Sequence, residues 1–172
     1  MAGIYVHIPF CKVKCNYCDF HFSTNQKLTQ KVVDSICQEL IQKKEYLKGE
    51  EIKTIYFGGG TPSIIKTELL LQIVNTIALT FDIVDDVEFT FECNPDDLDV
   101  EKLKDLKKLG VNRLSIGIQS FENEQLEFMN RAHNSDEALN CVQLAQDNGF
   151  SNITIDLIYG IPNAPLNYWE KQ

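Results

Sequence analysis

No stretch of this 172-residue chain approaches the roughly 20 consecutive apolar residues that a membrane-spanning helix needs. The first residues also lack the basic segment and long apolar core of a secretory signal, so the expected location is the cytoplasm. Positive charge is scarce, with 16 Lys and Arg against 25 Asp and Glu and a formal net charge of −9. That balance leaves no diffuse basic surface for nucleic acid or anionic lipid, and points to a small molecule or a protein as partner. Low-complexity tracts, linkers and internal repeats longer than a strand–helix unit are also missing, so residues 1–172 are expected to form one domain. What is present, 44% hydrophobic and 24% charged residues, is enough to build a core and excludes a disordered chain.

Six cysteines in a cytoplasmic chain are poor evidence for disulfides. Cys37, Cys93 and Cys141 are scattered and read as small packing residues. Cys11, Cys15 and Cys18 instead form a C-x3-C-x2-C array directly after an apolar run. An iron–sulfur cube takes one thiolate per iron, so three clustered cysteines hold three corners and leave the fourth iron open to another ligand. Tyr17 and Phe20 are placed to shield such a cluster from water. A structural zinc completed by His7 or His21 is the alternative, and the lack of a second paired knuckle counts against it.

Short β-branched runs at 3–8, 52–57, 87–92, 113–118 and 153–158 alternate with segments of helical period. This pattern predicts βα units on a buried parallel sheet. Val33, Ile36, Cys37, Leu40 and Ile41 form one apolar stripe, and Leu70, Ile73, Val74, Ile77 and Phe81 a second. Asp99 reads as the N-cap of a third helix that carries Lys104, Lys107 and Lys108 and stops at Gly110, and Ser135 and Gly149 bracket another. The fold class is therefore α/β, a partial (β/α) barrel of about five strands. A complete barrel takes about six to eight units and roughly 200 to 250 residues. The domain is thus expected to be incomplete at its C-terminus, where Trp169 to Gln172 read as the start of a further helix.

In such a sheet, ligands sit at the C-terminal ends of the strands. Tyr56-Phe57-Gly58-Gly59-Gly60-Thr61-Pro62 runs from a strand into three glycines, which either let a ligand approach the backbone or simply make a tight turn. Glu92, Gln119 and Asp156 close other strands. They serve a polar ligand, cap helices, or pair with Arg113 and Arg131.

Taken together, these motifs resemble the radical S-adenosylmethionine superfamily. Within it, Tyr5-Val6-His7-Ile8-Pro9-Phe10-Cys11, Gly58-Gly59-Gly60-Thr61-Pro62, Glu92-Cys93-Asn94-Pro95 and Ser115-Ile116-Gly117-Ile118-Gln119-Ser120-Phe121 resemble the oxygen-independent coproporphyrinogen III oxidase group over nearly the whole chain. The resemblance implies that Cys11, Cys15 and Cys18 ligate a [4Fe-4S] cluster and that S-adenosylmethionine binds its open iron. It implies cofactor contacts for Tyr5, Tyr17, Gly59, Gly60, Thr61, Glu92, Gln119, Arg131 and Asp156.

Tyr17 in C-x-Y-C and the segment Asn130-Arg131-Ala132-His133-Asn134 resemble the haem-chaperone branch of this group. That branch implies haem as a further ligand, a protein that accepts the haem and a protein that donates electrons. The competing reading is the oxidase itself, which converts two propionates of coproporphyrinogen to vinyl groups. A truncated product that merely retains the motifs is the third.

Overall fold

The computed structural model describes residues 2–162, 164, 168 and 169. Five strands, β1 (Ala2–Ile8), β2 (Ile52–Gly59), β3 (Ile83–Cys93), β4 (Arg113–Gln119) and β5 (Asn152–Leu157), lie side by side in chain order. Every neighbouring pair is parallel, with Tyr5 opposite Tyr56, Tyr56 opposite Thr90, Glu92 opposite Ser115 and Gly117 opposite Asp156. Five α-helices fill the crossovers: α1 (Thr29–Gln42), α2 (Thr67–Thr80), α3 (Val100–Lys108), α4 (Asn123–Phe128) and α5 (Ser135–Asp147). Because the strands share one direction, all their C-terminal ends meet at one edge. Among the described residues β1 and β5 each pair on one side only, as expected of part of a barrel.

The sheet is parallel as expected, and its two faces differ. On one face Val6, Ile8, Ile55, Phe57, Phe89, Phe91, Leu114, Ile116 and Ile118 are buried, in one core with Val33, Leu70, Ile73, Leu103 and Ala138 of the helices. Phe57 and Phe91 stack with ring centroids 5.7 Å apart, and burying each such side chain stabilises the fold by roughly 1.5–3 kcal/mol. Side chains alternate along a strand, so the residues between these point the other way. They are Tyr5 and His7, Tyr56, Thr90 and Glu92, Arg113 and Ser115, and Thr154 and Asp156. This face is polar and, apart from Thr90 and Ser115, partly or fully accessible.

Cys37, Cys93 and Cys141 are buried, as expected of packing residues. Ile41 is not on the buried stripe of α1 but 60% exposed, and Phe81 lies one residue beyond α2 as its C-cap. Asp99 caps α3 by accepting from the Lys102 amide. For α5 the cap is Asn134 rather than Ser135, because Asn134 and Glu137 satisfy each other's amides in a capping box. Helix α4 has no counterpart in the sequence reading. The expected helix at Trp169 to Gln172 falls mostly outside the described residues.

Candidate functional site

A cavity of about 220 Å³ opens at the C-terminal edge of the sheet, and eleven of the twelve predicted site residues line it. They arrive from every strand: the cysteines from the loop after β1, Gly59 at the end of β2 with Gly60 and Thr61 just beyond it, Glu92 near the end of β3, Gln119 at the end of β4 and Asp156 on β5. Tyr5 is the exception. It lies lower on the polar face, 58% exposed, with its hydroxyl 3.0 Å from His7 Nδ1 and its ring 5.8 Å from that of Tyr56. Tyr17 and Phe20 line the cavity yet remain 44% and 72% exposed, so neither seals the cluster loop from water.

The cluster loop is tied down at each of its segments. The Cys11 amide donates to Ser23 O at 3.1 Å, and the Ser23 amide donates to Pro9 O at 2.9 Å. Lys12 pairs with Asp96 at 2.7 Å and with Asp97, which stand just beyond β3. Asp97 in turn accepts from Ser63 Oγ at 2.6 Å, so three loops share one network. Burial pushes the Cys11 thiol up, and the charges of Cys18 and Cys15 add to this, while a hydrogen bond with Thr61 and the charge of Arg131 oppose it. Binding a metal cation would require these thiols to lose their protons.

The glycine run makes room first for the protein itself. A Cβ on Gly58 would stand 2.8 Å from Glu92 Oε1, one on Gly59 2.6 Å from the His7 ring, and one on Gly60 2.6 Å from Phe10 O and 3.0 Å from Cys11 Sγ. Gly59 also takes φ +108°, which a side chain would strain. The Gly60 amide donates to Ile8 O at 2.8 Å and the Thr61 amide to Phe10 O at 2.7 Å, continuing the β1–β2 pairing up to the cysteines.

Glu92 accepts from Tyr56 Oη at 2.7 Å and from the Gly59 amide at 3.1 Å. Burial raises its pKa, and these two hydrogen bonds oppose the rise. The Tyr56 phenol is pushed up to about 12, by burial first and then by Glu92. Arg131 reaches across the cavity floor. Its Nη2 donates to Asn94 Oδ1 and Gly117 O, both at 2.7 Å, and its Nη1 to Cys15 Sγ at 3.4 Å and Tyr17 Oη at 3.2 Å. Tyr17 is also raised to about 12, chiefly by burial. Neither Arg113, which donates to Thr90 and Thr154, nor Arg131 is used up on Glu92 or Asp156. Asp156 accepts from Ser115 Oγ at 3.4 Å. Gln119 closes β4 at φ +68°, and strain of this kind collects at functional sites.

Sequence reading missed several of these groups. Lys12, Asp97, Ser63 and Asn94 carry no spacing signal, because their partners lie 31 to 85 residues away. His133 was noted only within a motif. It is buried, its Nε2 donates to Ile118 O at 2.9 Å, and burial followed by the Arg131 charge lowers its pKa.

The residues present fit a cluster-bound cofactor. Three unpaired thiols line one cavity, and Arg131 keeps a buried Nε without a partner among the described residues. No three His, Cys, Asp or Glu side chains among the described residues converge on a single ion, and neither His7 nor His21 joins the cysteines in the cavity.

Residues 5–171 match the Radical SAM superfamily. The chain is 39% identical to the Heme chaperone HemW of Bacillus subtilis over 99% of its own length and 45% of that protein. It is 34% identical to the Escherichia coli protein of the same name over 95% of its length and 44% of that protein. It therefore spans less than half of the curated relatives it matches. Among solved structures, coproporphyrinogen III oxidase (HemN) from Escherichia coli superposes with a TM-score of 0.90 at 28% identity, covering 98% of this chain and 39% of that one. By the match of its sequence over residues 5–171, the chain belongs to the radical SAM superfamily.

Proposed function

We propose that Cys11, Cys15 and Cys18 hold a [4Fe-4S] cluster, that S-adenosylmethionine lies in the adjoining cavity, and that the protein acts as a haem chaperone in the cytoplasm. The observation that carries the cofactor reading is the convergence of eleven of the twelve predicted residues on one cavity. When bound, such a cluster supplies an open iron and a transferable electron. The protein's share is to bind and orient. Glu92 and Asp156 offer carboxylates to ribose hydroxyls, Arg131 offers a planar pair of donors to a carboxylate, and the backbone of Gly59 to Thr61 flanks the methionyl end. Tyr5, away from the cavity but beside His7 and Tyr56, serves the same face from below.

The chaperone reading is supported by relatives of that name at 34–40% identity and by the buried His133 two residues after Arg131. It brings with it haem as cargo, a haem-accepting protein and an electron donor. The oxidase remains the second reading, favoured by the close superposition on HemN. Anaerobic reconstitution with iron and sulfide, followed by S-adenosylmethionine and either haem or coproporphyrinogen III, separates them. Cluster absorbance with haem binding and no decarboxylated product is the expected result. Decarboxylated product would establish the oxidase instead.

A further inference from the structure

Helices α3, α4 and α5 end in the same two-bond turn. In each, the amide one residue past the cap donates back three residues, and the next amide donates back five: Gly110 to Lys107 and Val111 to Leu106, Asn130 to Glu127 and Arg131 to Leu126, Gly149 to Gln146 and Phe150 to Ala145. The turn needs a left-handed residue, and two of the three have glycine there, at φ +91° and +85°. The third has Asn130 at φ 56°. Glycine is the easier residue in that conformation, so the asparagine side chain needs a reason to be there.

Its reason is the cluster loop. Asn130 Nδ2 donates to Lys14 O at 2.7 Å, across 116 residues of sequence. The loop answers from its other side, with the Asn16 amide donating to Met129 O at 3.0 Å and Asn16 Nδ2 to Phe128 O at 2.6 Å. These carbonyls belong to the last turn of α4, which has no intrahelical donor to offer them. Residues 14 and 16 are thus held on either side of Cys15, and the same turn delivers Arg131 to Cys15 Sγ.

We infer that the turn ending α4 is a positioning device for the cluster loop, with Asn130 as its positioning residue. The inference rests on reading the three cysteines as cluster ligands. Asn130 does not line the cavity and acts by fixing where Cys15, and through the Cys18 amide bond to Cys15 O at 3.2 Å also Cys18, can stand.

The 172-residue chain carrying Asn130→Gly keeps the left-handed turn and loses only the bond to Lys14. Its urea midpoint should equal or exceed that of the parent. In the cluster-free chain, alkylation of Cys15 and Cys18 should quicken about fivefold, the effect of one lost hydrogen bond, while the buried Cys93 and Cys141 stay unchanged. In the loaded chain, loss of cluster absorbance to an iron chelator should quicken by a similar factor. Asn16→Ala, which keeps Asn130 and the left-handed turn but removes the donor to Phe128 O, should show the same selective pattern. Equal alkylation and equal cluster loss in both variants and the parent would overturn the inference, as would a uniform rise over all six cysteines, which marks general loosening. A parent chain that takes up no cluster defeats the ligand reading, whereas the alkylation pattern still decides the positioning role.

Discussion

The two faces of the sheet are made of the same strands and do different work. Along β3, Phe89 and Phe91 are buried against the helices while Thr90 and Glu92 point to the opposite face, and β2 repeats the arrangement with Ile55 and Phe57 against Tyr56 and Gly58. One face packs against the helices, and the other presents Glu92 and Asp156 to a cavity that the loops above the sheet complete. Neighbouring residues in sequence therefore belong to separate physical problems. A substitution on the helix-packed face should chiefly lower stability, and one on the polar face should lower ligand binding without lowering stability.

The largest break in this division comes from the loop above it. Cys15→Ala should abolish the cluster, because two thiolates would have to carry the cube, yet leave the urea midpoint within error; full retention of cluster absorbance would refute the ligand assignment. Next, Phe91→Ala should cost about 3–5 kcal/mol on the helix-packed face, read by urea unfolding of the cluster-free chain. A loss under about 1 kcal/mol would show that the stacked aromatic core matters less than its burial suggests.

Glu92→Gln, one residue on, should do the reverse. S-adenosylmethionine affinity should fall about tenfold, the scale of one charge-assisted hydrogen bond, as measured by calorimetry. Stability should rise, with a pH signature. Burial raises the Glu92 pKa, so the folded chain favours the protonated carboxyl, and that advantage is lost as pH rises through the raised folded value. The melting temperature of the glutamine variant should therefore pull ahead of the parent from about pH 4.5 upward and then level off. A gap independent of pH would remove Glu92 as its source.

The smallest effect belongs to Lys12, whose ammonium is partly exposed beside the buried Asp97. Lys12→Met should cost about 1 kcal/mol, less in high salt, with Lys12→Arg restoring it.

Much of the fold was written in local pattern. The five strands, the stripes of α1 and α2, the Asp99 cap and the glycine stops of α3 and α5 all depend on residues within a few positions of one another. The cysteine loop and the polar strand ends were legible for the same reason. The alternation of Arg113-Leu114-Ser115-Ile116-Gly117-Ile118-Gln119 was also in plain view, and it marks a sheet covered on one face rather than two. Helix α4 is only six residues long, too short for its period to register. Tyr5 illustrates a different limit, since a motif gives a residue's strand but not its distance below the cavity. The anchors of the cluster loop were invisible because an asparagine and a carbonyl 116 residues apart leave no periodic trace.

That same separation sets an order of events during synthesis. Strands that lie side by side in chain order can dock one after another as the chain lengthens. Cys15 leaves the ribosome long before Asn130 and Arg131 exist, a delay on the order of ten seconds at ordinary elongation rates. For that interval its thiol hangs from a loop whose outer end is tied to Ser23, Asp96 and Asp97 but whose middle lacks the turn that ends α4. Iron delivered early would meet a scattered set of sulfurs, and oxidants would meet unguarded ones. If the three cysteines hold a cluster, the full set of contacts around Cys15 is complete only once translation has passed α4, and cluster insertion is then a late step in biogenesis.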